Sequence, residues 1–137
     1  MGEPKNILFV CIENAGRSQM AEAFFKKYAK NQFNVISAGT YPSSNLNPDV
    51  VSVMAEIGID LKNQQPQLLS TFMIENSNKT VNMGCMDKES CPSLFVKNVD
   101  DWNIEDTQGK SIEDVRKIRD QIKNNILSLL NSIESDT

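Results

Sequence analysis

Cys11 and Arg17 bracket the segment Cys11-Ile12-Glu13-Asn14-Ala15-Gly16-Arg17-Ser18, which begins where an apolar run, Ile7 to Val10, gives way to a helical pattern. A strand, a tight loop and a helix start, in that order, turn several backbone N–H groups into one concavity, and the helix N-terminus adds positive potential there. A tetrahedral oxyanion fits such a nest. Ile12, Glu13, Asn14, Ala15, Gly16, Arg17 and Ser18 are therefore expected to bind one. The same field favours the thiolate of Cys11, which is the nucleophilic form of cysteine. Arg17 contributes a planar fork that can grip two oxygens. A cysteine at a strand end is commonly a small buried hydrophobe. Its company argues otherwise here: Gly16 lies within the loop, and Ser18 follows the arginine at a helix start, where its hydroxyl can reach the sulfur.

The chain has no histidine. Activation of a cysteine by a neighbouring imidazole is thus closed, leaving backbone dipoles, Arg17 and Ser18 to do it. Three cysteines without histidine also make a poor zinc set, and no metal is assigned. An odd cysteine count leaves at least one thiol unpaired in any disulfide scheme, which favours redox chemistry over a permanent disulfide frame. With 14 basic and 18 acidic residues the net charge is −4, and basic residues adjoin in nothing longer than the pairs Lys26-Lys27 and Arg116-Lys117, so nucleic acid is not an expected partner. No apolar run reaches the length of a membrane span, and Met1-Gly2-Glu3-Pro4-Lys5 lacks a signal peptide's basic start and apolar stretch. The expectation is a cytoplasmic protein, folded as one domain over residues 1–137.

The elements that position the loop are legible as an alternation of strands and helices. Asn6 to Val10 reads as a buried strand. Ser18 to Lys30 reads as a helix with Met20, Ala21, Phe24, Phe25 and Tyr28 on one face. Asn34 to Ser37 reads as a second strand, stopped by Gly39. Asn47-Pro48 opens a helix carrying Val50, Val51, Met54 and Ile57 and ended by Gly58. Between Asp60 and Asn78 the pattern is weakest: Gln-rich, interrupted by Pro66, with an apolar patch from Leu68 to Ile74 that suggests one more helix. Lys79 to Met83 and Leu94 to Val99 read as the third and fourth strands. Ser111 caps a long helix with Asp114 at its third position and Ile112, Val115, Ile118, Ile122, Ile126, Leu129, Leu130 and Ile133 at helical spacing. Such alternation implies an α/β fold: a four-stranded parallel sheet in three layers, with helices on both faces. Ligands in such sheets bind beyond the carboxyl ends of the strands, where Cys11 falls.

Two further cysteines, Cys85 and Cys91, flank Met86-Asp87-Lys88-Glu89-Ser90, a polar segment with Gly84 before it and Pro92 after it. They are either unrelated thiols or a redox pair. Cysteines beside turn residues, outside apolar runs, favour the pair.

The loop pattern C-x-x-N-x-x-R-S, present as Cys11, Asn14, Arg17 and Ser18, resembles that of the low-molecular-weight tyrosine phosphatase superfamily. Ser37-Ala38-Gly39-Thr40 resembles the family's second strand end, and Asp101-Trp102 through Asp106 its acid loop. Cys85 and Cys91 make the chain similar to the thioredoxin-coupled arsenate reductases of that superfamily. The resemblance implies that Cys11 attacks arsenate, that Cys85 attacks Cys11 and expels arsenite, and that Cys91 closes a Cys85 to Cys91 disulfide reduced by thioredoxin. It also implies Asp106 as general acid. Thr107 stands where the family usually has proline, which keeps Glu105 as a second candidate. Some members hold potassium through an asparagine, a glutamate, a serine and an aspartate; Asn14, Glu22 and Ser37 match three, and Gln67 replaces the fourth. Neither a metal nor an organic cofactor is assigned, and a monomer is expected. Hydrolysis of a phosphotyrosine or small phosphate ester through a Cys11 phosphoenzyme is the competing activity, but Thr107-Gln108-Gly109 has no aromatic residue to wall a phenyl ring. A non-catalytic oxyanion sensor would keep the loop without turnover.

Overall fold

The computed structural model describes residues 4–84 and 99–134; Cys85, Cys91 and most of the expected fourth strand lie outside them. Four strands, β1 (Lys5–Cys11), β2 (Phe33–Gly39), β3 (Lys79–Asn82) and β4 (Val99–Asp101), form one parallel sheet in the order β2-β1-β3-β4. β1 is central. It pairs with β2 from Lys5↔Phe33 to Cys11↔Gly39, and with β3 from Ile7↔Lys79 to Val10↔Asn82. The chain moves outward from β1 in both directions, so the crevice beyond its carboxyl end is the switch point where such sheets bind ligands. Cys11 is the last residue of β1.

β1 is apolar on both faces because both are covered. Ile7, Phe9 and Cys11 point into a large cluster with Met20, Phe24 and Phe25 of α1 (Arg17–Tyr28), Val50, Val53 and Met54 of α2 (Pro48–Ala55), and Ile118, Ile122 and Ile126 of α4 (Ile112–Glu134). Leu8 and Val10 point the other way, with Ala38 and with Ile74 of the short α3 (Thr71–Glu75). Helices on both faces complete the three layers. The second face is thinly covered: Ile36 and Phe72 remain exposed beside α3.

The helix boundaries follow local chemistry. Asn47 caps α2 by accepting from the Asp49 N–H (2.9 Å), Pro48 supplies the first helical φ, and Gly58 at φ 80° turns the chain away. The Ser111 hydroxyl accepts from the Asp114 N–H (3.2 Å), as the sequence predicts for α4. The Leu68 to Ile74 patch does contain a helix, but only Thr71–Glu75, entered through a Ser70 cap; Leu68 is instead bridged to Gly39 at the end of β2. Among the described residues β4 takes in Val99, the last residue of the expected Leu94 to Val99 strand, and continues to Asp101. No helix among the described residues is long and apolar enough to cross a membrane.

Candidate active site

The loop from Cys11 to Arg17 closes over a buried hydrogen-bond network. Asn14 adopts φ 53°, the left-handed region that asparagine tolerates better than most residues, and is wholly buried. That conformation turns its backbone N–H onto Cys11 Sγ (3.2 Å). Ser18 Oγ lies 2.8 Å from the same sulfur, and Asn14 Nδ2 donates to Ser18 Oγ (2.7 Å). No side chain caps α1 at Gly16, so the first N–H groups of the helix stay available to an anion. Ile12 to Ser18, the residues expected to form an oxyanion nest, run from the end of β1 into the first turn of α1.

Three glycines allow the close packing around it. A Cβ on Gly39 would overlap the Ile12 carbonyl and come within 2.9 Å of the Asn14 nitrogen, so the end of β2 passes directly beneath the loop. A Cβ on Gly16 would sit 2.6 Å from Thr107 Oγ1. Gly84, at φ 101°, leaves no room for a Cβ beside the Arg17 guanidinium. Arg17 is buried, and its Nη1 donates to the Ile104 carbonyl (2.9 Å), which ties the fork to the segment leading to Asp106. From the sequence Gly39 reads as a strand stop and Gly84 as a turn residue; the close approach each permits follows only from the folded arrangement.

A cleft of about 460 Å³ opens over the loop, lined by Cys11, Glu13, Gly16 and Arg17 on one side and by Asp106 and Thr107 on the other. Asp106 accepts from the Gln108 N–H (3.1 Å). Glu105 points away, its largely exposed carboxylate 3.4 Å from Lys110 Nζ. The two candidate acids are thereby separated: only Asp106 faces the cleft. Thr107, in the place of the family's usual proline, is buried and accepts from Asn47 Nδ2 (3.3 Å), so the α2 cap residue also anchors this loop.

The residues that match a potassium site do not fit one here. Lys26 Nζ lies 2.6 Å from one Glu22 oxygen, and the Ser37 hydroxyl donates to the other (2.7 Å). Gln67 Nε2 donates to the Ser37 carbonyl (2.8 Å). Asn14 Oδ1 accepts from the Gln67 N–H (2.9 Å) and from Gln19 Nε2 (3.1 Å). Both Glu22 oxygens, Asn14 Oδ1 and the Ser37 carbonyl thus already face donors, with the Lys26 ammonium supplying the positive charge beside Glu22.

A family model described as low molecular weight phosphotyrosine protein phosphatase matches residues 6–137. An arsenate reductase of Staphylococcus aureus is 38% identical over 121 residues, which span 87% of this chain and 91% of that protein. Among solved structures, a thioredoxin-dependent arsenate reductase of Corynebacterium glutamicum superposes with a TM-score of 0.83 at 32% identity, covering 100% of this chain and 66% of its own. An arginine phosphatase of Geobacillus stearothermophilus superposes with a TM-score of 0.86 at 26% identity, covering 97% and 95%.

Proposed function

The chain belongs to the low molecular weight phosphotyrosine protein phosphatase family, and within it we propose an arsenate reductase that works by a three-cysteine relay and is recycled by thioredoxin. One observation carries the reading: Cys11, Arg17 and Asp106 line a single cleft, and Gly84, the residue before Cys85, packs against Arg17. The proposed nucleophile, its anion fork and its acid thus converge where the chain runs on toward the second cysteine.

In this mechanism arsenate sits in the loop with its oxygens on backbone N–H groups and Arg17. The Cys11 thiolate attacks arsenic, and Asp106 protonates the departing oxygen, which leaves as water. The Cys85 thiolate then attacks Cys11 sulfur. A disulfide forms, the sulfur–arsenic bond breaks, and its electron pair stays on arsenic, which departs as arsenite. Cys91 attacks Cys85, freeing Cys11 and leaving a Cys85 to Cys91 disulfide for thioredoxin to reduce. The two electrons that arsenic gains are those lost by the two thiols. The protein acts as a cytoplasmic monomer that requires neither metal nor cofactor.

Phosphate ester hydrolysis on the same loop is the second reading, favoured by a cleft larger than a bare oxyanion needs. A coupled assay with arsenate, thioredoxin, thioredoxin reductase and NADPH tests the first reading. NADPH oxidation that depends on both arsenate and thioredoxin is expected; its absence, with p-nitrophenyl phosphate still hydrolysed, would assign the protein to the phosphatases.

A further inference from the structure

The polarity of the network beneath Cys11 is fixed from outside the loop. A backbone N–H can only donate, so the Asn14 side-chain atom that faces the Gln67 N–H at 2.9 Å is the oxygen, Oδ1. Nδ2 therefore faces Ser18 Oγ at 2.7 Å, and since an amide nitrogen only donates, the hydroxyl accepts there. Its single proton is left to point at Cys11 Sγ, 2.8 Å away. The sulfur then receives two donors, Ser18 Oγ–H and the Asn14 N–H, and both bonds are stronger to a thiolate than to a thiol.

Gln19 holds Asn14 in that state. Its side chain is buried, and Nε2 reaches three acceptors: the Asn14 carbonyl (2.9 Å), Asn14 Oδ1 (3.1 Å) and the Gln65 carbonyl (3.1 Å). Gln19 is oriented in turn, because Gln64 Nε2 donates to its Oε1 (2.6 Å). A flipped Gln19 would set NH2 against NH2 at Gln64 and oxygen against oxygen at Asn14.

We propose that Gln19, aimed by Gln64, is a positioning residue that directs the Ser18 proton onto Cys11 and so maintains the reactive thiolate. The inference rests on Cys11 being the nucleophile, and it gives the Gln-rich stretch after Asp60 a task in the chemistry. Neither glutamine lines the cleft over the loop; both act through Asn14 and Ser18.

The test is the rate of Cys11 alkylation by iodoacetamide between pH 6 and 10, in protein whose Cys85 and Cys91 are replaced by serine. Ser18→Ala should slow alkylation at pH 7 by about tenfold or more, the worth of one hydrogen bond to a charged group. Gln19→Met should slow it by up to about tenfold at pH 7, with the rate approaching the parent's at pH 10, where any thiol ionises. In the Ser18→Ala background Gln19→Met should add little, since its path through the hydroxyl is gone. Gln64→Ala, a milder change at a partly buried position, should act in the same direction, and Gln64→Lys, which keeps an N–H donor, should restore most of the rate. Gln19→Met and Gln64→Ala rates equal to the parent's, a slowing equal at every pH, or a full extra loss on top of Ser18→Ala would each overturn the relay. Parent protein that alkylates like an ordinary peptide thiol would instead refute the nucleophile assignment, and the relay with it.

Discussion

The Arg17 guanidinium and the Gly84 backbone are packed so closely that a single methyl group cannot come between them: a Cβ built on Gly84 would overlap Nη1. Arg17 is held from the other side by the Ile104 carbonyl. The guanidinium is therefore clamped between the chain just after β3 and the segment leading to Asp106.

Gly84→Ala should accordingly cost more activity than stability. The φ of 101° is strained for alanine and should lower stability by about 1–2 kcal/mol. Displacing the guanidinium should lower kcat/KM for arsenate, and for p-nitrophenyl phosphate, by at least about tenfold. Urea unfolding and steady-state kinetics on the same preparation check both. A variant with normal kinetics would mean that Arg17 does not need this clamp.

Asp106 lines the cleft, whereas Glu105 reaches out to Lys110. Asp106→Asn should lower kcat for p-nitrophenyl phosphate by about 10²- to 10⁴-fold, the usual worth of a general acid, with Glu105→Gln close to the parent. Comparable losses in both would reopen the choice. Thr107→Val, which removes the acceptor for Asn47 Nδ2 but keeps the bulk, should give a milder loss of the same kind.

Most of the architecture is legible in the sequence because local rules agree with burial. Asn47-Pro48 and Gly58 bound α2, Ser111 caps α4, and the apolar run before Cys11 is the sheet's central strand. The loop is legible for a different reason: it carries a cysteine, an asparagine, an arginine and a serine at the spacing of the family's pattern. What surrounds it is not. Gln64, Gln65 and Gln67 reach Gln19 and Asn14 through backbone and amide hydrogen bonds, which follow no hydrophobic period, and the Gly39 to Leu68 bridge depends on two distant segments meeting. Gly39 and Gly84 are needed for space, and space is visible only once the neighbour is in place.

Just past the C-terminal end of α2, Glu56 faces Arg116 and Arg119 of α4. The hydrogen bond from Arg116, reinforced by Arg119, holds its carboxyl below the ordinary value of 4.5. A carboxylate with a depressed folded value stabilises the protein above its unfolded value and loses that contribution as pH falls through the folded one. Glu56→Gln should therefore unfold at lower urea than the parent at pH 7, with the gap closing as pH falls below 4.5 and through the lowered folded value. The group is solvent-exposed, so the gap should be small and should shrink further in high salt. A gap independent of pH would show that packing rather than charge joins the two helices there.

The three thiols should divide their labour in a way that a single variant exposes. Hydrolysis of p-nitrophenyl phosphate needs only the proposed nucleophile, the anion fork and the acid, all within the cleft over the loop. Reduction of arsenate must in addition move two electrons from sulfur to arsenic and hand the resulting disulfide to thioredoxin. Cys91→Ser should therefore abolish thioredoxin-linked NADPH oxidation while leaving slow phosphate ester hydrolysis within about twofold of the parent, as expected of a side chain that takes no part in that step. Cys11→Ser should abolish both. Mass spectrometry after one turnover with arsenate should find a Cys11 to Cys85 disulfide accumulated in the Cys91→Ser protein, because the thiol that would resolve it is gone. Equal loss of both activities in Cys91→Ser would make that cysteine structural, and full retention of both would remove it from the relay.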